Sequence, residues 1–301
     1  MMTSGLLYVD KPAGLTSHDV VGVVRRAART RRVGHAGTLD PFATGLLVLA
    51  INSATRLLPY VVGEPKVYEA VIRFGFETNT DDSAGVPVRD APPPDASVLA
   101  HPNLAPLRLA METLTGSLAQ IPPAFSAKHV NGERAYKMAR RGETVELPPV
   151  NINVFSWEWI ASTADTLTVR IACGGGTYIR ALARDLGRAL GSAAHCASLR
   201  RMASGPAHVD DAVTLDQLSP DSIAQHRVLL RSALPALGSI THEPLTEAGF
   251  TALRFGRRVP AVAPGSRAAL LWDGQIVAIA ERAEGNCWQP RVVMFPGEQH
   301  E

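Results

Sequence analysis

Apolar stretches in this chain are short, and glycine or proline interrupts them throughout. The longest, such as Leu46 to Ile51, hold six residues, against roughly 18 for a membrane span. The 25 glycines and 22 prolines follow no period, which excludes collagen-like and low-complexity architectures. Elements must therefore be brief and numerous. Gly5 to Val9 reads as an opening strand before a Lys-Pro-Ala-Gly turn. Ser17 is placed to cap a helix with an apolar stripe at Val20, Val24, Ala27 and Ala28. The segment from Val33 to Gly45 is turn chemistry, and Leu46 to Ile51 reads as a buried strand. From Lys66 to Phe74 the pattern alternates: Tyr68, Ala70, Ile72 and Phe74 share one face, Glu69 and Arg73 the other.

Further along, Ala91 to Pro106 reads as a proline-rich loop and Leu107 to Leu118 as a helix. Between Gln120 and Pro149, two Pro-Pro pairs bracket a basic, partly helical excursion from the core. Strands are expected near Asn151 to Ile160 and Leu167 to Cys173, then a triple-glycine turn and a helix from Tyr178 to Leu190. After Pro235 short strands and turns suggest a β-rich appendage of roughly sixty residues. Strands and helices mix without regular βαβ alternation and without internal repeats, so the expected class is α+β around a mixed sheet.

Formal net charge is only +2, but it is unevenly spread. Five arginines and no acid lie between Asp19 and Asp40, and five basic residues face Glu133 alone between Ala124 and Arg141. Six arginines face only Asp185 between Arg170 and Met202, while acids dominate from Glu77 to Asp95. Basic runs beside glycine-rich loops favour a polyanionic partner. The three cysteines are isolated, which argues against a disulfide framework or a cysteine zinc site and fits a reducing cytoplasm. The opening residues lack the basic stretch of a secretory leader. No HxxxH or HxH pair marks a metal site. GGGTYIR lacks the nucleotide-loop forms, and no GxSxG elbow is present.

One candidate for chemistry remains, the loop HAGTLDP from His35 to Pro41. An Asp-Pro pair is ordinarily a turn former. Here Asp40 lies between an arginine-rich helix and a buried strand, where a fixed carboxylate can act as nucleophile or electrostatic stabiliser.

Five blocks in order carry a family resemblance: LLYVDKPAGLTSHDVV, GHAGTLDPFATGLLVL, KVYEAVIRFGFETNTDD, PPAFSAKHVNGERAYKMARRG and GGGTYIRALARDLG. They resemble the bacterial tRNA pseudouridine-55 synthases of the TruB type, densely from Gly5 to Gly205. The tail, with GFTALRFGRRVP and DGQIVAIAE, is similar to the small RNA-binding PUA domain. The resemblance implies a largely antiparallel mixed-sheet catalytic domain over residues 1–235, with an RNA-binding insertion at about 120–150, and a PUA-like domain over 236–301. It implies isomerisation of one T-arm-loop uridine of tRNA after base flipping, in the cytoplasm, without cofactor, metal, membrane or obligate protein partner.

By the same resemblance Asp40 is the catalytic carboxylate, Arg180 its partner, and Tyr68 the aromatic that packs on the flipped base and assists proton removal from C5. His35 fills the space the base vacates. Tyr178 and Leu199 line the pocket, and Lys11 supports the loop or touches RNA. Lys128, Arg134, Lys137, Arg140 and Arg141 become phosphate contacts. Whether Asp40 attacks C1′ or C6 stays open. Two other readings are a non-catalytic RNA-binding factor, against which the Asp40, Tyr68 and Arg180 set argues, and a hydrolase, which wants a second carboxylate.

Overall fold

The computed structural model describes residues 4–294, apart from 102, 104, 127, 131, 144, 146, 224, 226 and 227. Its first half opens with β1 (Gly5–Lys11), α1 (Ser17–Ala27), β2 (Val33–His35), β3 (Thr44–Ile51) and β4 (Lys66–Phe74). A small hairpin, β5 (Phe76–Thr78) and β6 (Pro87–Asp90), is followed by α2 (Ala96–Leu99), α3 (Ala105–Thr113) and β7 (Gly116–Gln120). The excursion holds β8 (His129–Val130), β9 (Glu133–Arg134) and α4 (Ala135–Arg140). Then come β10 (Val150–Ser162), β11 (Thr166–Cys173), α5 (Ile179–Ala189), β12 (Ala194–Ser204) and β13 (Ala207–His208). The tail contains β14 (Thr241–Pro244), α6 (Glu247–Arg254), β15 (Val259–Pro260), β16 (Arg267–Trp272), β17 (Gln275–Ala283) and β18 (Cys287–Val293).

The large sheet runs β1-β3-β12-β4-β11-β10-β7, with β2 on β3 and β13 on β12. Every pairing is antiparallel except β12 with β3, where Arg200 and Arg201 sit opposite Thr44 and Gly45. The mixed, largely antiparallel sheet expected from the sequence is thus present. Tyr68, Ala70, Ile72 and Phe74 of β4 pack against Ile179, Leu182, Ala183 and Leu186 of α5, which explains their alternation. Leu47, Leu49 and Ile51 of β3 face α1, while Leu46, Val48 and Ala50 face the opposite side. A strand covered on both faces loses the period of two and reads as a continuous apolar run.

Five expectations change, the first being that the proline-rich stretch from Ala91 to Pro106 holds α2, capped by Asp95, and the start of α3. Thr16, not Ser17, caps α1: its hydroxyl accepts from Asp19 N, completing a capping box. Part of the Val33–Gly45 turn region is strand β2, whose residues pair with β3. The helix over residues 107–118 stops at Thr113, and β7 begins at Gly116, whose φ of +90° an α-helix does not admit. The basic stretch before Met202 contains β12, the central strand of the sheet. Its register shifts between Cys196 and Ser198 and again between Arg201 and Ala203, so no clean alternation survives in the sequence.

The tail forms a second sheet in the order β14-β16-β17-β18-β15. It starts at Thr241 and does not stand apart. Ala269, Ile279 and Met294 share one apolar cluster with Leu6, Tyr8, Leu46 and Leu237. Removing it uncovers apolar surface on β1 and β3. No helix among the described residues is long and apolar enough to cross a membrane.

Candidate active site

Asp40 stands in the loop between β2 and β3, and neighbours hold that loop from several sides. Ser17, freed from capping, is buried at the start of α1. Its hydroxyl donates to Leu39 O at 3.1 Å and accepts from Leu39 N at 2.9 Å. Gly14 N donates to Pro41 O at 2.8 Å. The Lys11 ammonium, wholly buried, donates to the carbonyls of Pro12, Leu15 and Pro41 at 2.9, 2.8 and 3.3 Å. Of its two expected roles, Lys11 thus supports the loop. Gly37 takes φ of +104°, where a Cβ would be strained.

The carboxylate so fixed is 37% exposed, and its Oδ2 lies 2.9 Å from Arg180 Nε. Arg180, in the first turn of α5, is almost fully buried, and its two other nitrogens also donate to protein. Nη1 donates to Thr80 O at 2.7 Å and to Asp82 Oδ2 at 3.3 Å, and Nη2 donates to Phe125 O at 3.1 Å. The guanidinium is locked before it meets Asp40, so the pair has one geometry. Behind it Arg184 binds Asp81 at 2.7 Å and Arg188 binds Glu77 at 2.7 Å. Glu77, Asp81 and Asp82 of the acidic segment noted in the sequence are therefore internal counter-charges of α5. Of the six arginines between residues 170 and 202, Arg180, Arg184 and Arg201 are buried. Arg170, Arg188 and Arg200 bind carboxylates. Three of the six thus turn inward, and the other three stand part-exposed beside carboxylates.

Tyr68 and Leu199 lie in the cluster that contains Leu39, beside Asp40, and both are buried. Burial raises the Tyr68 phenol pKa, and the nearby Arg201 opposes that rise. Tyr178 precedes α5, half-buried, and burial raises its phenol pKa. Its backbone N and O pair with the Gln120 amide at 2.9 and 3.1 Å. His35 ends β2 half-buried. Its Nδ1 has no hydrogen-bond partner among the described residues, and burial lowers its pKa. The structure thus gathers Asp40, Arg180, Tyr68, Leu199, Tyr178 and His35 around one loop and one helix end.

Lys128 and Arg141 lie away from this centre on the excursion. Lys128 is exposed. Arg141 is bound by Glu133 at 2.6 and 2.9 Å and by Glu143 at 2.7 Å. The side chains of Arg134 and Arg140 lie outside the described residues. Residues that carry the site but went unassigned in the sequence are Ser17, Asp82 and Arg201. Asp82 sat in view within the FETNTDD block, but its partner is 98 residues away.

Lys11 yields a pH prediction. Burial, only partly opposed by Asp40, pushes its pKa down from 10.5 to about 8. A depressed lysine contributes stability that is full above pH 10.5 and lost as pH falls through about 8. Its charge beside Asp40 is present only below about 8. Single-turnover rate is expected to drop as pH rises through that value, with no Lys11-dependent fall in the urea midpoint. Lys11→Met should remove this step from the rate profile.

A mixed sheet thus presents one loop carboxylate, Asp40, to a buried arginine, Arg180, beside the apolar cluster of Leu39, Tyr68 and Leu199. In comparison with known proteins, residues 25–179 match the TruB family pseudouridylate synthase N-terminal domain. Residues 180–237 match the tRNA pseudouridylate synthase B C-terminal domain. The chain belongs to the TruB family of pseudouridylate synthases. Among relatives named tRNA pseudouridine synthase B, that of Arthrobacter sp. (strain FB24) is 44% identical, covering 99% of both chains. That of Thermobifida fusca is 43% identical over 98% of this chain and 100% of the relative. The fold is shared with a chain of a solved Cbf5-Nop10-Gar1 complex, with a TM-score of 0.70 at 22% identity, covering 97% of this chain and 85% of that one.

Proposed function

We propose that this enzyme isomerises the T-arm-loop uridine of tRNA at position 55, with Asp40 as the reacting carboxylate and without a cofactor. What supports the reading is the Asp40–Arg180 pair: a carboxylate on a locked buried arginine, in a protein whose full-length relatives carry the name tRNA pseudouridine synthase B. The reaction breaks C1′–N1 and forms C1′–C5 with no net redox change and no water consumed. One carboxylate that attacks and leaves again, or that steadies a cationic sugar, is sufficient. The target base is stacked in its loop and must be flipped out first. His35, neutral and half-buried, is suited to the vacated space, while Leu199 and Tyr178 form apolar walls for the extruded base. Tyr68 packs on it and takes the C5 proton. The tail from residue 236, with its own five-stranded sheet, is read as a PUA-like RNA-binding domain. Cytoplasmic location follows from such a substrate. The test is a T-arm stem-loop tritiated at uridine C5. The enzyme should release tritium to water, and binding without release would favour a purely RNA-binding protein.

The excursion from Ala124 to Arg141 is read as the phosphate grip. Lys128 and Lys137 are exposed, whereas Arg141 already spends its charge on Glu133 and Glu143. Lys128→Ala with Lys137→Ala should therefore weaken RNA binding. It should also flatten log affinity against log salt by roughly 0.7–0.9 for each phosphate no longer neutralised. Arg141→Ala should change that slope much less. Equal slopes for the double variant and the unmutated protein would remove the grip from this segment.

A further inference from the structure

Arg201 is the largest charged side chain wholly inside the protein, at 1% exposure. A buried cation is costly unless paired, and Arg180, Arg184, Arg188 and Arg200 each meet a carboxylate. Among the described residues Arg201 meets only neutral oxygens. Nε donates to Leu46 O at 2.7 Å, Nη2 to Gly37 O at 3.1 Å and Nη1 to Thr38 O at 3.4 Å. Gly37 and Thr38 precede Asp40 and Leu46 follows it, so one guanidinium ties both limbs of the loop. Across the sheet Arg201 is the register partner of Tyr68, and its charge opposes the rise in phenol pKa that burial causes there. The close parallel approach of β12 to β3 that permits this requires glycine at position 45, where a Cβ would stand 2.3 Å from Arg201 O.

We propose that Arg201 is a positioning residue that fixes the Asp40 loop and Tyr68 in one frame and supplies the counter-charge that lets Tyr68 take the C5 proton. This rests on Tyr68 being the group that takes it. Once C1′ is bonded to C5, the C5–H bond breaks and its electron pair forms C5=C6. The N1=C6 pair passes to N1, which takes a proton from solvent. The C5 proton goes to the Tyr68 phenolate oxygen, giving the neutral phenol, which then releases that proton to solvent and returns to phenolate. A phenolate buried in that apolar cluster needs a cation. Besides Arg201 on β12, the groups facing the phenol are Cys173 on β11 and Asp40 in the loop, and both disfavour the anion. Lys66, two residues earlier on β4, points its ammonium at Gly37, where a Cβ would lie 3.5 Å from it.

The experiment compares single-turnover rates on T-arm stem-loops carrying protium or deuterium at uridine C5, for the unmutated enzyme, Arg201→Lys, Arg201→Gln and Tyr68→Phe. The Arg201 variants should react at least about tenfold more slowly, equivalent to one pKa unit at Tyr68. Their protium-to-deuterium rate ratio should rise above the unmutated value, because proton removal becomes the slow step. A variant that is partly unfolded slows both isotopologues equally and leaves the ratio unchanged, so the ratio reads the chemistry. Slow turnover at an unchanged ratio would overturn the proposal and leave Arg201 a loop strut. Normal rates in both Arg201 variants would overturn it as well. Tyr68→Phe keeps the two readings apart. If it turns over normally, the assignment of Tyr68 itself fails. If it is slow with a raised ratio while Arg201→Lys is not, Arg201 alone is wrong.

Discussion

Asp40→Asn is expected to abolish tritium release from the C5-labelled stem-loop, with a loss of roughly 10³-fold or more, as when a reacting group is removed from an enzyme. The substitution keeps the shape of the side chain and an oxygen able to accept from Arg180 Nε, 2.9 Å away in the native pair. Arg180 remains held by Thr80 O, Asp82 and Phe125 O. The fold should lose no more than about 1 kcal/mol, one hydrogen bond weakened at a partly exposed site. RNA affinity, read by filter binding, should stay close to that of the unmutated protein, because the proposed phosphate grip is on the excursion and not on the Asp40 loop. Near-normal release by this variant would dismiss Asp40 as the reacting group.

Arg180→Ala should damage both stability and turnover. The side chain is 5% exposed and Asp82, one of its partners, is 8% exposed. Truncation leaves Asp82 Oδ2 and two carbonyls without this donor, while Asp82 Oδ1 keeps Thr80 Oγ1 at 2.7 Å and Ala84 N at 3.0 Å. Removing one member of a buried pair costs about 3–5 kcal/mol, which a urea titration reads directly. At a temperature where the variant remains folded, tritium release should fall roughly 10²-fold, since the carboxylate survives without its orienting partner. Arg180→Lys should recover part of the stability but little activity. An ammonium cannot reach Asp40, Thr80 O and Phe125 O together as the guanidinium fork does. A stability loss below about 1 kcal/mol for Arg180→Ala would show that water replaces its partners and that the site is more open than the packing indicates.

The chain announces through local pattern whatever depends on local pattern. The alternation of Tyr68, Ala70, Ile72 and Phe74 gave strand β4 and its covered face, because successive side chains on a strand point to opposite sides. The continuous run in β3 marked a strand buried twice over. The HAGTLDP loop was legible as a rigid carboxylate turn, and its family resemblance brought Arg180 and Tyr68 with it. The tail's short strands were visible in its turn residues.

What the sequence could not express is which distant groups meet. Strand β12 was hidden because two register shifts destroy the period of two. Which arginines between residues 170 and 202 are buried was not legible, because a charge has the same sign in a core as in water. Only the order of strands and the docking of α5 beside the hairpin turned Asp81, Asp82 and Glu77 into their partners, roughly a hundred residues back along the chain. Ser17 looked like a cap and became a pin on Leu39 because Thr16, one position earlier, completes the capping box with Asp19. Arg201 carries no local mark at all. Its contacts with Gly37, Thr38, Leu46 and Tyr68 exist because β12 lies between β3 and β4, parallel to one and antiparallel to the other. Periodicity and capping act over a few residues and were fixed by the sequence alone. The pairing of charge and hydrogen bond across the sheet was decided by tertiary structure, because only the fold sets which donors lose water and which oxygens stand there to replace it.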